Sequence, residues 1–307
     1  MGGHGRQHPA LTALAAAVAA ASWSVGPPLP EPRTEVAAAP LAGRIVVVGG
    51  FVASGDNSAR ADAFDPRSGT WSRLPDLPVA VDHAAAAAAR GRVYVVGGYG
   101  HGRRPLRAAF AFDGTRWRAL PPPPEPRAAA AAAATADGRL YVVGGVGAAG
   151  LARTMLVYDP AAARWSVARG PTPREHLAAA AASGRIYAIA GRTAGLTTNT
   201  RLVEAFDPAR GRWTRAAPVP VARGGTGASA VGRRIVSVGG EAPTGTIASV
   251  FAYDVRKGRW SRLPDLPTPR HGLGVVSLGG RVWAIAGGPQ PGLTVSGAVE
   301  WLALPPP

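Results

Sequence analysis

A phrase closing on a double glycine returns six times along this chain, and no other feature restricts its fold so tightly. The second glycine falls at Gly50, Gly98, Gly145, Gly191, Gly240 and Gly288, in steps of 48, 47, 46, 49 and 48 residues. A fixed period in this range signals a stacked or circular array of like units. The tryptophans keep the same time: Trp23, Trp71, Trp117, Trp165, Trp213 and Trp260 stand 48, 46, 48, 48 and 47 residues apart. Two separate series thus count six units.

Each unit reads as four short strands, because apolar runs of four to eight residues alternate with turn signals and no segment sustains a helical period. The second full copy shows the pattern: a small-residue run Ala84 to Ala89, a turn at Arg90-Gly91, the strand Arg92 to Val96, then Gly97-Gly98 and a variable loop. Ala108 to Phe112 follows, a turn at Asp113-Gly114-Thr115, and a last strand opened by Trp117. In other copies Asp65-Pro66, Asp159-Pro160 and Asp207-Pro208 hold that turn, where Asp bonds the backbone ahead and Pro presets φ.

Alanine runs such as Ala128 to Ala134 and Ala178 to Ala182 favour helix by propensity, yet they are too short to hold one unaided. They recur just before the second strand. In blades radiating from an axis the innermost strands converge, and only small side chains fit there. The chain ends are also complementary. Trp23 to Arg33 spans the same interval as Trp117 to Arg127, so the chain opens on a fourth strand, whereas after Gly288 it offers one further strand, Ala298 to Leu302, and no closing Trp. The expected architecture is all-β: a closed ring of six four-stranded antiparallel blades, the N-terminal strand completing the last blade and leaving no open edge.

These residues resemble the kelch-repeat β-propellers. The likeness is carried by the Gly-Arg-Val-Tyr-Val-Val-Gly-Gly phrase at Gly91 to Gly98, the aromatic residue before the turn (Phe64, Tyr158, Phe206, Tyr253) and the Trp about six residues later. It extends from Trp23 to the C-terminus. Departures are local: Ala190 replaces a first glycine, Val81 replaces an Arg, and Trp283 takes a Tyr position. The resemblance implies a stand-alone bacterial kelch protein acting as a binding scaffold. Secreted kelch-like propellers also include a sialic-acid epimerase, which makes a sugar-acid-active enzyme the alternative. A structural part of an envelope assembly is the third reading. The absence of Cys excludes disulfides, thiolate metal ligation and the cysteine-dependent chemistry of galactose-oxidase-like relatives.

The formal charge of +16 invites a nucleic-acid reading, but Lys257 is the only lysine and the repeat itself distributes much of the arginine. All six second strands open on Arg (Arg44, Arg92, Arg139, Arg185, Arg234, Arg281). Charge spread round a ring, without interleaved exposed aromatics, argues against nucleic acid.

One subset has a sharper implication. Arg33, Arg127, Arg174, Arg223 and Arg270 stand where the innermost strand begins, so five guanidinium groups are expected at one mouth of the central channel. There they would bind a carboxylate, sulfate or phosphate. The competing reading ties each arginine to backbone carbonyls or to an acid within the blades. Asp62, Glu204 and Glu300 are the third-strand candidates, three acids for five arginines.

His83 and His176 lie two residues into the same region and His271 one residue in, on alternate blades. His83 and His176 are expected to bond ligand at the mouth. No metal or cofactor is expected, since there are no cysteines and few nearby carboxylates. For catalysis only Glu35, Glu175 and His176 offer an acid or base, and Glu175 beside Arg174 reads as an ion pair. The loops after each double glycine, with Asp56-Asn57, His101 to Arg104 and Thr197 to Thr200, are expected on the same face.

Residues 1–22 differ from the repeats. Arg6, the apolar stretch Ala10 to Ala21 and the exit Ala19-Ala20-Ala21-Ser22 suit a signal peptide; the bland alternative is a disordered leader. Twelve apolar residues are too few to span a bilayer. The expectation is a secreted or envelope monomer, with a cytoplasmic location as the alternative, whose partner is a protein or an anionic, glycan-type ligand.

Overall fold

Strands of mostly four or five residues alternating with tight turns leave no α-helix among the described residues to pack against, so the sheets must bury each other. The computed structural model describes residues 21–304. The signal-peptide expectation covers residues 1–22, of which 1–20 lie outside the described residues, as do Pro305 to Pro307. Among the described residues are six four-stranded antiparallel sheets and no helix long and apolar enough to cross a membrane.

Blades 1 to 6 are numbered here by their innermost strands: Ala37–Leu41, Ala85–Ala89, Ala131–Ala134, Ala178–Ala182, Gly227–Val231 and Gly274–Leu278. Each innermost strand neighbours the next, and blade 6 returns to blade 1. The expected closure holds: Trp23–Val25 pairs with Val299–Ala303, with Trp23 opposite Leu302 and Val25 opposite Glu300.

Apolar runs such as Ile45 to Val48 need burial on both faces, and the ring supplies it. Val46 and Val48 pack with Val93, Val95 and Phe112 of blade 2, whereas Ile45 and Val47 pack with Val276, Trp283 and Ile285 of blade 6. At the axis the alanine stripes line a channel whose central stretch holds about 250 Å³. A larger side chain there would fill it. At the rim the indole Nε1 of each of the six repeat tryptophans donates to a carbonyl of the preceding blade: Trp23 to Pro264, Trp71 to Pro27, Trp117 to Pro75, Trp165 to Pro121, Trp213 to Arg169 and Trp260 to Ala217. The tryptophan series is therefore a ring of inter-blade staples.

The structure corrects one position. Ala286 N donates to Ala298 O as Gly49 N does to Arg60 O, so Gly287, with φ of 101°, is the sixth counterpart of Gly50 rather than Gly288. Ala286 and Ala190 thus hold first-glycine places, at φ of 59° and 56°. No second glycine is replaced. At Gly145, with φ of 85°, a Cβ would sit 2.4 Å from Ala128 O and 2.7 Å from Ala130 Cβ. We therefore expect Gly145→Ala to destabilise by about 3 kcal/mol or more, a loss that urea unfolding measures.

Candidate functional site

The innermost strands converge on the axis, and the residues just before them form the mouth. Two positions past the arginine column the backbone turns left-handed in every blade: Glu35, His83, Ala129, His176, Gly225 and Gly272 have φ of 54°, 52°, 48°, 52°, 63° and 61°. Amide and carbonyl groups of these residues link blade to blade: His83 N to Glu35 O, Ala129 N to His83 O, His176 N to Ala129 O, Gly225 N to His176 O, Gly272 N to Gly225 O, and Val36 N back to Gly272 O. This belt closes around the channel. Glycine adopts such a φ freely, and a residue with a Cβ does so at about 1–2 kcal/mol. The chain keeps Glu35, His83 and His176 there nonetheless, which marks these three positions for a role.

The five arginines do something else. Each is at most 1% exposed and turned into its own blade, and none lines the mouth. Arg33 bonds Gly49 O, Arg60 O and Asp62; Arg174 bonds Ala188 O, Ala190 O, Thr172 O and Glu204; Arg270 bonds Ala284 O, Ala286 O, Thr268 O and Glu300. The three third-strand acids thus pair three of the five. In the same strand position blade 5 has Phe251, under the guanidinium of Arg223, which bonds Gly239 O and Ser249 instead. Blade 3 has Leu156, and Arg127 bonds Gly144 O, Thr154 and Glu125. Blade 2 has Phe110 where the arginine is Val81, an apolar pair in place of a charged one. The anion-binding ring expected of Arg33, Arg127, Arg174, Arg223 and Arg270 is accordingly replaced by five internal ties, because each guanidinium finds carbonyls and an acid or hydroxyl inside the blade.

His83 and His176 do line the mouth, a cavity of about 300 Å³, together with Glu35, Phe51, Arg103, Glu175, Arg192, Glu241 and His271. Carboxylates are plentiful here, contrary to expectation. His83 Nδ1 bonds Asp82 Oδ1, and its Nε2 stands 2.9 Å from His176 Nε2 and 3.2 Å from Glu35 Oε2. His176 Nδ1 lies 3.2 Å from Glu175 Oε1. Arg192 links Glu175, at 3.3 Å, to Glu241, at 2.7 Å. Arg103 donates to Asp82 at 3.0 Å and lies over the ring of Tyr99.

His271 has acceptors on both ring nitrogens, Glu35 Oε1 at 3.1 Å from Nδ1 and the carbonyls of Gln290 and Gly292 at 3.1 and 3.0 Å from Nε2. Burial lowers its pKa, but the bond to Glu35 and the charges of Glu35 and Glu241 outweigh it and push the pKa up. Burial likewise works against an ionised Glu35, yet His83, the His271 bond and His176 hold its carboxyl well below the usual range. Burial lowers His176, against the pull of Glu175. The mouth is a coupled acid and imidazole network rather than a cationic ring.

Asp82, Arg192 and Glu241 escaped the sequence reading as site residues. Arg192 and Glu241 directly follow the double-glycine place, and antiparallel bridges set that position beside the residue after each arginine, as in Glu175 with Arg192 and Gly224 with Glu241. Aligning the six copies at that column exposes it.

The KLHDC2/KLHL20/DRC7 Kelch-repeats domain profile matches residues 2–170, and the Kelch motif matches residues 173–220 and 222–267. The solved structure of YjhT superposes with a TM-score of 0.78 over 91% of this chain and 97% of that one, at 17% identity, a likeness of fold. No curated protein sequence matches the chain.

Proposed function

The chain belongs to the kelch-repeat family, and from that premise we propose that it is a binding scaffold taking a hydroxyl-rich, glycan-type chain at the mouth. One observation carries the reading. The mouth opens sideways into a groove of about 480 Å³ between the loops of blades 1 and 2, lined by Asp56, Asn57, Val79, Ala80 and His101, with Phe51 and Arg103 shared between groove and mouth. Acceptors and donors alternate in the mouth, which suits hydroxyl groups that both give and accept hydrogen bonds. Phe51 offers an apolar face beside them. A free anion would meet Glu35, Glu175 and Glu241 there.

Titration calorimetry with neutral oligosaccharides, sugar acids and a polar peptide tests this. We expect binding of a neutral oligosaccharide that Phe51→Ala weakens about tenfold, the equivalent of about 1.4 kcal/mol. Preference for the peptide, or for sulfate and sugar acids, overturns it. A second reading, a sugar-acid-active enzyme, is favoured by the hydrogen-bonded pair of partly buried Glu35 and buried His271, whose displaced protonation is typical of groups that move protons. Catalysed anomer exchange of a sugar acid, lost in Glu35→Gln, supports that reading; exchange at the uncatalysed rate removes it.

A further inference from the structure

Glu35, His83 and His176 line both the mouth and the alanine channel beneath it, so they form the constriction between the two. Their facing atoms converge. His83 Nδ1 is hydrogen-bonded to Asp82 Oδ1, which turns its Nε2 lone pair to the neck, whereas His176 Nδ1 lies 3.2 Å from Glu175 Oε1 without a well-formed hydrogen bond and its Nε2 also faces the neck. The two Nε2 atoms stand 2.9 Å apart, with Glu35 Oε2 3.2 Å from that of His83. Three groups that each offer a lone pair thus converge on one point, where either one shared proton or a bound cation satisfies them.

We propose that Glu35 Oε2, His83 Nε2 and His176 Nε2 hold one divalent transition-metal ion of the zinc class at the neck of the channel. One ligand atom from each of these residues lies within 4.8 Å of the others. Imidazole and carboxylate together suit zinc, cobalt or nickel rather than magnesium or calcium. Two imidazole nitrogens on one tetrahedral ion stand about 3.3 Å apart, so the histidines need to part by only about 0.4 Å. Each ligand has an outer partner of the kind that orients metal ligands: Asp82 on His83, Glu175 beside His176, and His271 on Glu35 Oε1. Asp82 is itself buried and held by Arg103. Three ligands leave a tetrahedral ion one open position. The site does not depend on which ligand the mouth takes.

The test uses the full chain, free of any affinity tag, with His4 and His8 replaced by alanine. Zinc content after dialysis, zinc titration calorimetry and the visible spectrum of the cobalt-substituted protein are the readouts. We expect one ion per chain and a tetrahedral cobalt spectrum. Affinity should fall at least about 100-fold in His83→Ala and His176→Ala and about 10–100-fold in Asp82→Asn, and stay unchanged in Asp265→Asn, an exposed acid outside the mouth and groove. Near-ultraviolet circular dichroism checks that each variant is folded, and Asp82→Asn keeps the test open if the histidine variants are not. No saturable binding at one equivalent, or binding that survives both histidine substitutions, overturns the proposal; the neck then holds a shared proton only.

Discussion

Arg270→Met is expected to lower stability by about 3–5 kcal/mol in urea unfolding. The substitution leaves the Glu300 carboxylate, 3% exposed, without its cation and strips bonds from the carbonyls of Thr268, Ala284 and Ala286. A buried charge that loses its partner retains its full desolvation penalty, which is why the effect exceeds that of an ordinary lost hydrogen bond. Arg223→Met should cost less, because no carboxylate is stranded there and Phe251 already lies against the guanidinium. Pairing Arg270→Met with Glu300→Met should recover part of the loss. Neither single variant should alter ligand affinity at the mouth beyond the effect of unfolding. Equal losses for Arg270→Met and Arg223→Met would show that the acid adds nothing, and weakened anion binding in a folded Arg270→Met protein would return the arginines to the mouth.

Removing the closing strand has a comparable effect on stability and a larger one on the state of the protein. A chain beginning at Pro27 loses Trp23–Val25, hence the pairing to Val299–Ala303, the Gly26 bond to Val299 O and the indole bond to Pro264 O. We expect a loss of about 3–5 kcal/mol from the indole surface and hydrogen bonds together, relative to a chain beginning at Ala21. The bared strand edge is a template for another chain, so dimers or larger species should appear in size-exclusion chromatography. Adding a peptide of residues 21–30 should restore both stability and the monomer. A truncated chain as stable and as monodisperse as its parent would show that the ring closes without this strand.

Much of the fold is legible in the residues because it rests on repetition. Gly145 and its counterparts recur where a Cβ would strike a carbonyl, the indoles recur where a neighbouring blade offers an acceptor, and Trp23 opens a fourth strand without the three that elsewhere precede it. The misplaced Gly288 shows the limit of that reading. A run of two glycines after Ala286 looks like the others, and only the Ala286 to Ala298 hydrogen bond reveals the shift by one residue. The acids Asp62, Glu204 and Glu300 were also recognisable, but their three-to-five mismatch with the arginines resolved only through Glu125, Thr154 and Ser249, which lie at other positions of the repeat.

The sequence by itself determined the number of blades, the order of strands within each and the strand that closes the ring, since these follow from periods and turn chemistry spread along the chain. Only the tertiary structure decided which way side chains near the axis point. A strand start specifies a place on the ring, but the left-handed turn two residues later sends Glu35, His83 and His176 inward while carbonyls within each blade draw the guanidinium groups away. The pairing of Glu35 with His271, 236 residues apart, exists because closure sets the first blade beside the last. No local pattern encodes that contact.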